Sequence, residues 1–194
     1  MPTLFIIAGC NGAGKTTASN TLLPEILNCR EFVNADSIAA GLSPFDVEKY
    51  AVEAGRLMLK RMEQLIDNNS DFAIETTLSS KVYKQRIEAA KRKGYRIVLI
   101  FFWLESVKLA IQRVKKRVKS GGHHIPVEVI KRRYSRGINN FFDLYKDKAD
   151  SWVVIDNSAN ESILIAEGEG GGSKSIKSNE QWQRILNQYR KSTN

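Results

Sequence analysis

The chain has 194 residues, of which 42% are hydrophobic and 26% are charged, a balance typical of one globular domain and not of a disordered or fibrous protein. No apolar run approaches the roughly 20 residues of a membrane span, the N-terminal segment lacks a basic leader, and two cysteines cannot form a disulfide framework, so we expect a cytoplasmic protein without a membrane partner. The net charge of +9 favours anionic ligands without choosing among them.

The first predicted element is a strand over residues 3–8, and a glycine-rich segment follows it. This segment, the phosphate loop, is a complete G-x-x-x-x-G-K-[ST] motif made of Gly9, Cys10, Asn11, Gly12, Ala13, Gly14, Lys15 and Thr16. Its glycines let backbone N–H groups turn towards a polyphosphate, and the helix predicted over residues 15–27 adds its positive end. Lys15 can reach the β- and γ-phosphates, and the Thr16 hydroxyl suits Mg²⁺. The motif therefore predicts ATP and Mg²⁺ as ligands.

Polar side chains end the next two predicted strands. Residues 30–36 form a short strand that carries Asn34 and Asp36 at its carboxyl end, and residues 71–77 form another that ends in Glu75, Thr76 and Thr77. Ligands of open α/β sheets bind at the carboxyl ends of strands, so Asp36 is a candidate site residue. An Asp in this place can also be a helix N-cap or a turn residue.

The other elements alternate between helix and strand. We predict a helix that begins with Ser43 as its N-cap and runs to about residue 68, and a further helix over residues 80–93. The apolar run of residues 95–104 suits a parallel strand covered on both faces. Two helices follow from residue 106, then short strands over residues 151–156 and 162–166, an exposed Gly-rich turn within residues 167–177, and a last helix over residues 179–190. This alternation predicts an α/β, three-layer P-loop NTPase fold with a mainly parallel sheet, as a single domain over residues 1–194.

Basic residues concentrate in the two helices that follow residue 106. Between residues 108 and 136 there are ten Lys or Arg residues and one acidic residue, Glu128. Arg113 and Arg117 share one helix face, a Gly-Gly-His-His-Ile-Pro joint follows, and Arg133 and Arg136 lie on the second helix. Two helices with arginines facing a common space predict a mobile lid over roughly residues 106–147. The lysines of the same segment are equally well explained as a solvated face.

The remaining motifs favour a small kinase over other proteins with a phosphate loop. The chain has neither the Asn-Lys-x-Asp segment of a GTPase nor the Leu-Ser-Gly-Gly-Gln signature of a transporter ATPase. A kinase needs a carboxylate that accepts the proton of the acceptor hydroxyl, an acceptor pocket, and cations near the transferring phosphoryl group. Asp36 can be the base, and Glu75 and Thr77 can line the acceptor pocket. The candidate cations are Arg113, Arg117, Arg133 and Arg136.

Four segments together resemble the zeta-toxin family: residues 9–16, 33–44, 74–78 and 113–126. Within that family they are most similar to the short stand-alone branch often labelled predicted ABC-type ATPases. The resemblance implies a kinase that phosphorylates the 3′-hydroxyl of the sugar in UDP-N-acetylglucosamine, and it raises the expectation of an antitoxin partner. It further implies that Asp36 is the catalytic base, that Glu75 and Thr77 contact the acceptor, and that Arg117 is the first lid arginine.

The chain departs from the family pattern at the second lid arginine. That arginine lies a few residues before a proline, and here His123 stands three residues before Pro126. The missing charge could come from Arg113 or Arg133, or the lid could work differently. Adjacent histidines without Cys or His partners are weak candidates for a metal site.

Two other functions remain open from the sequence. The excess of basic residues suggests a kinase or repair protein that acts on nucleic-acid ends. Nucleic-acid-binding proteins usually place aromatic residues among basic ones on an exposed face, whereas most aromatic residues here have the spacing of buried core positions, which argues against nucleic acid as a partner. The chain could also be a regulatory protein that binds ATP without transferring phosphate.

Overall fold

The computed structural model describes residues 1–170 and 174–191, and its centre is a seven-stranded sheet. The strand order is β2-β3-β1-β4-β5-β6-β7. The first five strands in this order pair in parallel, and β6 and β7 add antiparallel strands at one edge. The strands are β1 (Thr3–Gly9), β2 (Phe32–Asn34), β3 (Phe72–Thr76), β4 (Arg96–Trp103), β5 (Ser151–Asp156), β6 (Ile163–Glu169) and β7 (Lys174–Ile176). The predicted mainly parallel sheet is confirmed. Residues 171–173 of the predicted Gly-rich turn lie outside the described residues.

Helices connect the strands and cover the sheet. They are α1 (Lys15–Thr21), α2 (Ala35–Leu42), α3 (Ala51–Asp67), α4 (Tyr83–Arg92), α5 (Val107–Lys119), α6 (Val127–Asn140) and α7 (Asn179–Lys191). A π-helical turn over Leu22–Ile26, which contains Pro24, follows α1, and another over Phe141–Tyr145 follows α6. None of the helices in residues 1–170 and 174–191 combines the length and the apolar character that a membrane crossing needs.

The central strands are buried on both faces because of their composition. Residues 4–8 of β1 are at most 8% exposed, and in β4 the apolar residues from Leu99 to Trp103 are at most 6% exposed. Alternate residues of a strand point to opposite faces, so burial at every position requires helices on both sides of the sheet. This arrangement is the predicted three-layer α/β fold.

Two predicted boundaries around Asp36 are wrong. The second strand ends at Asn34, whose side-chain Oδ1 accepts hydrogen bonds from the N–H groups of Asp36 (2.8 Å) and Ser37 (3.3 Å). This N-cap begins α2 at residue 35, so Asp36 lies in the first turn of a helix and not in a strand. Ser43 ends α2 as its C-cap instead of beginning a helix, and the long helix α3 begins only at Ala51.

Helix α6 is held very close to the loop that follows β3. A Cβ atom on Gly137 would lie 2.6 Å from the carbonyl oxygen of Thr77. The buried Asn140 donates from Nδ2 to the Leu78 carbonyl oxygen at 2.7 Å, and the Tyr145 hydroxyl donates to the Ser80 carbonyl oxygen at 2.6 Å. These contacts fix the loop of residues 77–81 against α6.

The close approach at Gly137 gives a stability test. We expect Gly137→Ala to lower the free energy of unfolding by about 1–2 kcal/mol, because displacing a packed backbone costs more than the gain in helix propensity. Gly41→Ala is the matched control, since Gly41 also lies in a helix and its added Cβ would meet no atom within 4 Å. That variant is expected to gain up to about 1 kcal/mol. Urea unfolding of both variants measures the difference, and a gain at both positions would contradict the packing.

Candidate active site

The phosphate loop passes between the ends of β1, β4 and β5, where side chains do not fit. Gly9 has a φ of 141°, and a Cβ atom there would lie 2.2 Å from the Phe102 carbonyl oxygen of β4. Gly14 has a φ of 80°, and its Cβ would lie 2.5 Å from Nδ2 of Asn157, just after β5. That amide also donates to the Ala13 carbonyl oxygen at 2.8 Å. The loop is therefore held by the neighbouring strand ends as well as by its own motif.

Glu75 connects the phosphate loop to the end of β2. It lies beside Ile7 in the parallel register of β3 and β1. Its Oε2 atom accepts hydrogen bonds from the Thr16 hydroxyl (2.7 Å) and from Asn34 Nδ2 (2.9 Å). Its Oε1 atom lies 3.7 Å from Nζ of Lys15, which is 6% exposed and also donates to the Cys10 carbonyl oxygen at 2.9 Å. One carboxylate thus contacts both functional side chains of the phosphate loop.

Two adjoining cavities meet above this network. The phosphate cavity, of about 280 Å³, is lined by Asn11, Gly12, Gly14, Lys15, Thr16, Thr17, Asp36, Glu75, Arg113 and Arg117. The second cavity, of about 220 Å³, which we call the acceptor cavity because it contains the predicted acceptor residues, is lined by Asn11, Lys15, Asn34, Ala35, Asp36, Ala51, Gly55, Glu75, Thr76, Thr77, Ser79, Ser80, Tyr83 and Arg133. Asn11, Lys15, Asp36 and Glu75 line both. A group held in one cavity can therefore reach a group held in the other.

Asp36 lies at this junction although the helix that carries it was not predicted. Its side chain is half-exposed, and its Oδ2 atom lies 3.7 Å from Nε2 of His123. The N-cap at Asn34 fixes the first turn of α2 and directs Asp36 towards the cavities. The structure thus brings Asp36, Glu75 and Thr77 together with the phosphate loop, as the sequence predicts. The role of Asp36 as a base stays a prediction.

The four arginines of the predicted lid do not face one common space. Arg113 donates to the carbonyl oxygens of Asn157 (2.7 Å) and Ser158 (2.9 Å), so its guanidinium group is bound to the loop after β5. Arg117 lines the phosphate cavity beside Arg113. Arg133 lines the acceptor cavity and donates to Asn11 Oδ1 at 3.3 Å, whereas Arg136 lines neither cavity.

Both lid helices also contribute to the core. Ala110 and Val114 of α5 are buried, as are Ile130, Tyr134 and Ile138 of α6. In the joint between them, residues 120–126, Ile125 is the one buried residue. The movement predicted for a lid stays a prediction, and the joint is the segment best suited to it.

His123 carries less positive charge at neutral pH than an arginine would. Burial lowers its pKa below the ordinary 6.5, the carboxylate of Asp36 opposes this shift, and Arg117 and Arg133 add to it. The imidazole is therefore neutral near pH 7. Among residues 1–170 and 174–191, no group of three or more His, Cys, Asp or Glu side chains is arranged to hold a metal ion.

Sequence reasoning missed three contributors to the site. Asn157 and Ser158 hold the phosphate loop and Arg113, and Tyr83 lines the acceptor cavity. Asn157 directly follows a parallel strand, so the rule that ligands bind at carboxyl ends of strands could have found it. No local signal marks Tyr83, which comes to the cavity through the packing of α4.

Cys10 has no nucleophilic character despite its place in the phosphate loop. Burial raises the pKa of its thiol to about 11, and the nearby Lys15 only partly offsets the shift. Cys29 is also buried, and its pKa is likewise raised to about 11. At neutral pH both side chains are thiols.

These shifts predict slow modification of the folded protein. At pH 8 the rise of the thiol pKa from 9.0 to about 11 lowers the thiolate fraction about a hundredfold. We therefore expect the thiol reagent dithiobis(nitrobenzoate) to react at least about a hundredfold more slowly with the native than with the unfolded protein. Reaction in denaturant gives the reference rate for the two thiols. Rapid modification of Cys10 in the folded protein, located by peptide mass spectrometry, would show that the phosphate loop opens.

Comparison with known proteins identifies a family and a relative that match most of the chain. A family model described as Zeta toxin matches residues 1–169. A curated protein of Haemophilus influenzae, described only as uncharacterized, is 31% identical over 126 residues, which are 65% of this chain and 88% of that protein.

Solved structures share the fold at low sequence identity. A chain from the complex of AvrRxo1-ORF1 and AvrRxo1-ORF2 has a TM-score of 0.76 and 17% identity, and the match covers 95% of this chain and 63% of that one. A chain from the PezAT toxin–antitoxin system of Streptococcus pneumoniae has a TM-score of 0.66 and 16% identity, with 100% and 88% covered. A gluconokinase from Sinorhizobium meliloti has a TM-score of 0.52 and 12% identity, with 98% and 92% covered. The fold is therefore that of P-loop kinases, and the chain spans less than two thirds of the AvrRxo1 chain.

Proposed function

Because the chain belongs to the zeta-toxin family, we propose that it is an ATP- and Mg²⁺-dependent kinase that phosphorylates a hydroxyl group of a nucleotide sugar such as UDP-N-acetylglucosamine. One observation carries the proposal. The phosphate cavity and the acceptor cavity share Lys15, Asp36 and Glu75, so a phosphoryl donor and an alcohol can meet beside a buried ammonium group and a carboxylate.

The phosphate cavity provides the groups that a nucleoside triphosphate needs. Backbone N–H groups of the phosphate loop can bind its oxygens, and the buried Lys15 interacts strongly with phosphate because little water screens its charge. The Thr16 hydroxyl and the Glu75 carboxylate are hard oxygen donors 2.7 Å apart, which fits the preference of Mg²⁺. When bound there, Mg²⁺ would neutralise charge on the phosphates.

In the proposed reaction Asp36 accepts the proton of the acceptor hydroxyl. The hydroxyl oxygen forms a bond to the γ-phosphorus while the bond from that phosphorus to the bridging oxygen of ADP breaks. Lys15 and Arg117 stabilise the negative charge on the transferring group. Since His123 is neutral, Arg133 supplies the cation on the acceptor side, where it already contacts Asn11 of the phosphate loop.

Mass spectrometry tests the activity directly. The purified protein, incubated with ATP, Mg²⁺ and UDP-N-acetylglucosamine, should yield a sugar nucleotide heavier by one phosphoryl group. Lys15→Ala is the control and should yield none. If the wild type leaves this acceptor unchanged, γ-labelled ATP and a metabolite extract would show whether another hydroxyl compound takes the label. Failure to label any metabolite would favour a regulatory ATP-binding protein.

A kinase that acts on nucleic-acid ends is the second candidate function, because the net charge of +9 favours anionic ligands. Steeply salt-dependent binding of oligonucleotides would favour it.

The similarity to chains of the PezAT system and of the AvrRxo1-ORF1:AvrRxo1-ORF2 complex supports an antitoxin-like protein partner. If the protein is a toxin, its induced expression should arrest a bacterial host, whereas Lys15→Ala should not.

A further inference from the structure

A basic cleft lies next to the acceptor cavity, on the side away from the phosphate loop. Its volume is about 730 Å³, and α6 and the loop after β3 form its walls. The lining residues are Ser79, Ser80, Lys81, Arg132, Arg133, Arg136, Asn139, Asn140 and Asp143. Ser79, Ser80 and Arg133 also line the acceptor cavity, so the two depressions are continuous. A ligand whose hydroxyl lies beside Asp36 can extend over Arg133 into the basic cleft.

The cations of the basic cleft have no carboxylate partner among residues 1–170 and 174–191. Lys81, Arg132 and Arg136 are exposed, and none forms an ion pair or a side-chain hydrogen bond with another residue of the described chain. The carboxylate on the lining, Asp143, instead accepts a hydrogen bond from the Tyr189 hydroxyl. The positive charges of Lys81, Arg132 and Arg136 repel one another in the empty cleft. An anion that enters the cleft is attracted by all three and relieves this repulsion.

The walls of the basic cleft are fixed before any ligand binds. The contacts of Gly137, Asn140 and Tyr145 described above hold the loop of residues 77–81 against α6. Arg132 and Arg136 lie one helical turn apart, so their guanidinium groups leave the same face of α6. Arginine binds phosphate oxygens with paired, directional hydrogen bonds, and a fixed wall lowers the entropy cost of forming them.

We propose that the basic cleft binds a phosphate-bearing part of the acceptor, so that Lys81, Arg132 and Arg136 select phosphorylated acceptors over neutral ones. The proposal rests on the proposed kinase function, because it takes the acceptor cavity as the place of the reacting hydroxyl. It assigns the recognition of the acceptor's phosphates to residues that contact neither the phosphate loop nor Asp36. An acidic protein segment is the competing occupant, but the continuity with the acceptor cavity favours one ligand that spans both.

Binding of UDP, with uridine as the phosphate-free reference, tests the proposal. The phosphate loop is first saturated with a non-hydrolysable ATP analogue and excess Mg²⁺, and calorimetry at about 150 mM salt then measures the second ligand. We expect the wild type to bind UDP more tightly than uridine. Arg132→Gln combined with Arg136→Gln should weaken UDP binding about tenfold to a hundredfold and leave uridine binding unchanged. The matched control, Lys115→Gln with Lys131→Gln, removes two exposed charges of α5 and α6 outside the cleft and should bind UDP as the wild type does.

The outcomes separate this proposal from the proposed function. Equal binding of UDP and uridine by the wild type, or equal binding of UDP by the wild type and the arginine variant, would overturn it. Polyglutamate serves as the probe for an acidic protein segment. If the arginine variant loses polyglutamate binding but binds UDP as the wild type does, the cleft binds an acidic protein, and the proposal is overturned. If UDP binding depends on the two arginines while UDP-N-acetylglucosamine is never phosphorylated, the proposed acceptor is wrong and the phosphate site remains.

Discussion

Asp36→Asn is expected to lower kcat by about 10²- to 10⁴-fold, the usual contribution of a positioned general base. Asn keeps the size of the side chain and can still hydrogen-bond the acceptor hydroxyl, but it cannot take the proton. Asp36 lines both cavities and is not buried in the core, so the substitution should leave the fold and ATP affinity nearly unchanged. Steady-state rates with the acceptor that the labelling experiment identifies, together with ATP binding by calorimetry, measure the two effects separately.

Asp46→Asn provides the control for this experiment. Asp46 is an exposed residue in the turn between α2 and α3, so the same chemical change is made ten residues away from the proposed base. Its kcat should equal that of the wild type. Full turnover by Asp36→Asn would show that another group accepts the proton, or that the hydroxyl loses it to bulk water after transfer.

Arg117→Gln should lower kcat by about 10³-fold or more, because an arginine on the transferring phosphoryl group carries an effect of that order. Arg113 is the other arginine of the phosphate cavity, but its guanidinium group is already bound to the carbonyl oxygens of Asn157 and Ser158. We therefore expect Arg113→Gln to act mainly through the position of the phosphate loop. It should raise the KM for ATP more than it lowers kcat.

The neighbouring Lys116 serves as the control for charge alone. It is exposed, lies on the same helix and lines neither cavity, so Lys116→Gln should leave kcat within about twofold of the wild type. If Arg113→Gln lowers kcat as much as Arg117→Gln and leaves the KM for ATP unchanged, the two roles are reversed.

The phosphate loop could be predicted because all of its residues are contiguous in the sequence. The phosphate loop is a contiguous motif between a strand and a helix, and an added Cβ at Gly9 or Gly14 would meet the Phe102 carbonyl oxygen or the Asn157 side chain. Ligands of open α/β sheets bind at the carboxyl ends of strands, and parallel strands end at one edge of the sheet. This rule groups Glu75 and Asn34 with the phosphate loop, and the strand register agrees.

The predictions around Asp36 failed where two helix signals competed. Ser43, Pro44 and Asp46 form a good helix start by composition, but the Asn34 cap begins a helix earlier and Ser43 then ends it. Propensity ranks such local choices only weakly, and the packing of α2 against α3 decides them. Asp36 lines both cavities, although it lies in a helix and not at the end of the predicted strand.

The grouping of the arginines could not be predicted from their spacing. At about 100° per residue, Arg136 lies about 40° around the helix axis from Arg132 and about 60° from Arg133 on the other side. Whether Arg136 faces the phosphate loop or the basic cleft depends on the rotation of α6 about its axis. Contacts from residues 137 and 140 to the loop after β3 set that rotation, and no sequence pattern reports them.

The central claim is that a phosphoryl donor and an alcohol meet beside Asp36, and the fate of the γ-phosphate tests it most directly. With γ-labelled ATP, Mg²⁺ and the acceptor, we predict that nearly every ADP formed by the wild type is matched by one labelled organic phosphate, and that Asp36→Asn forms almost none. Label found only as inorganic phosphate, or equal labelling of the acceptor by both proteins, would contradict the account.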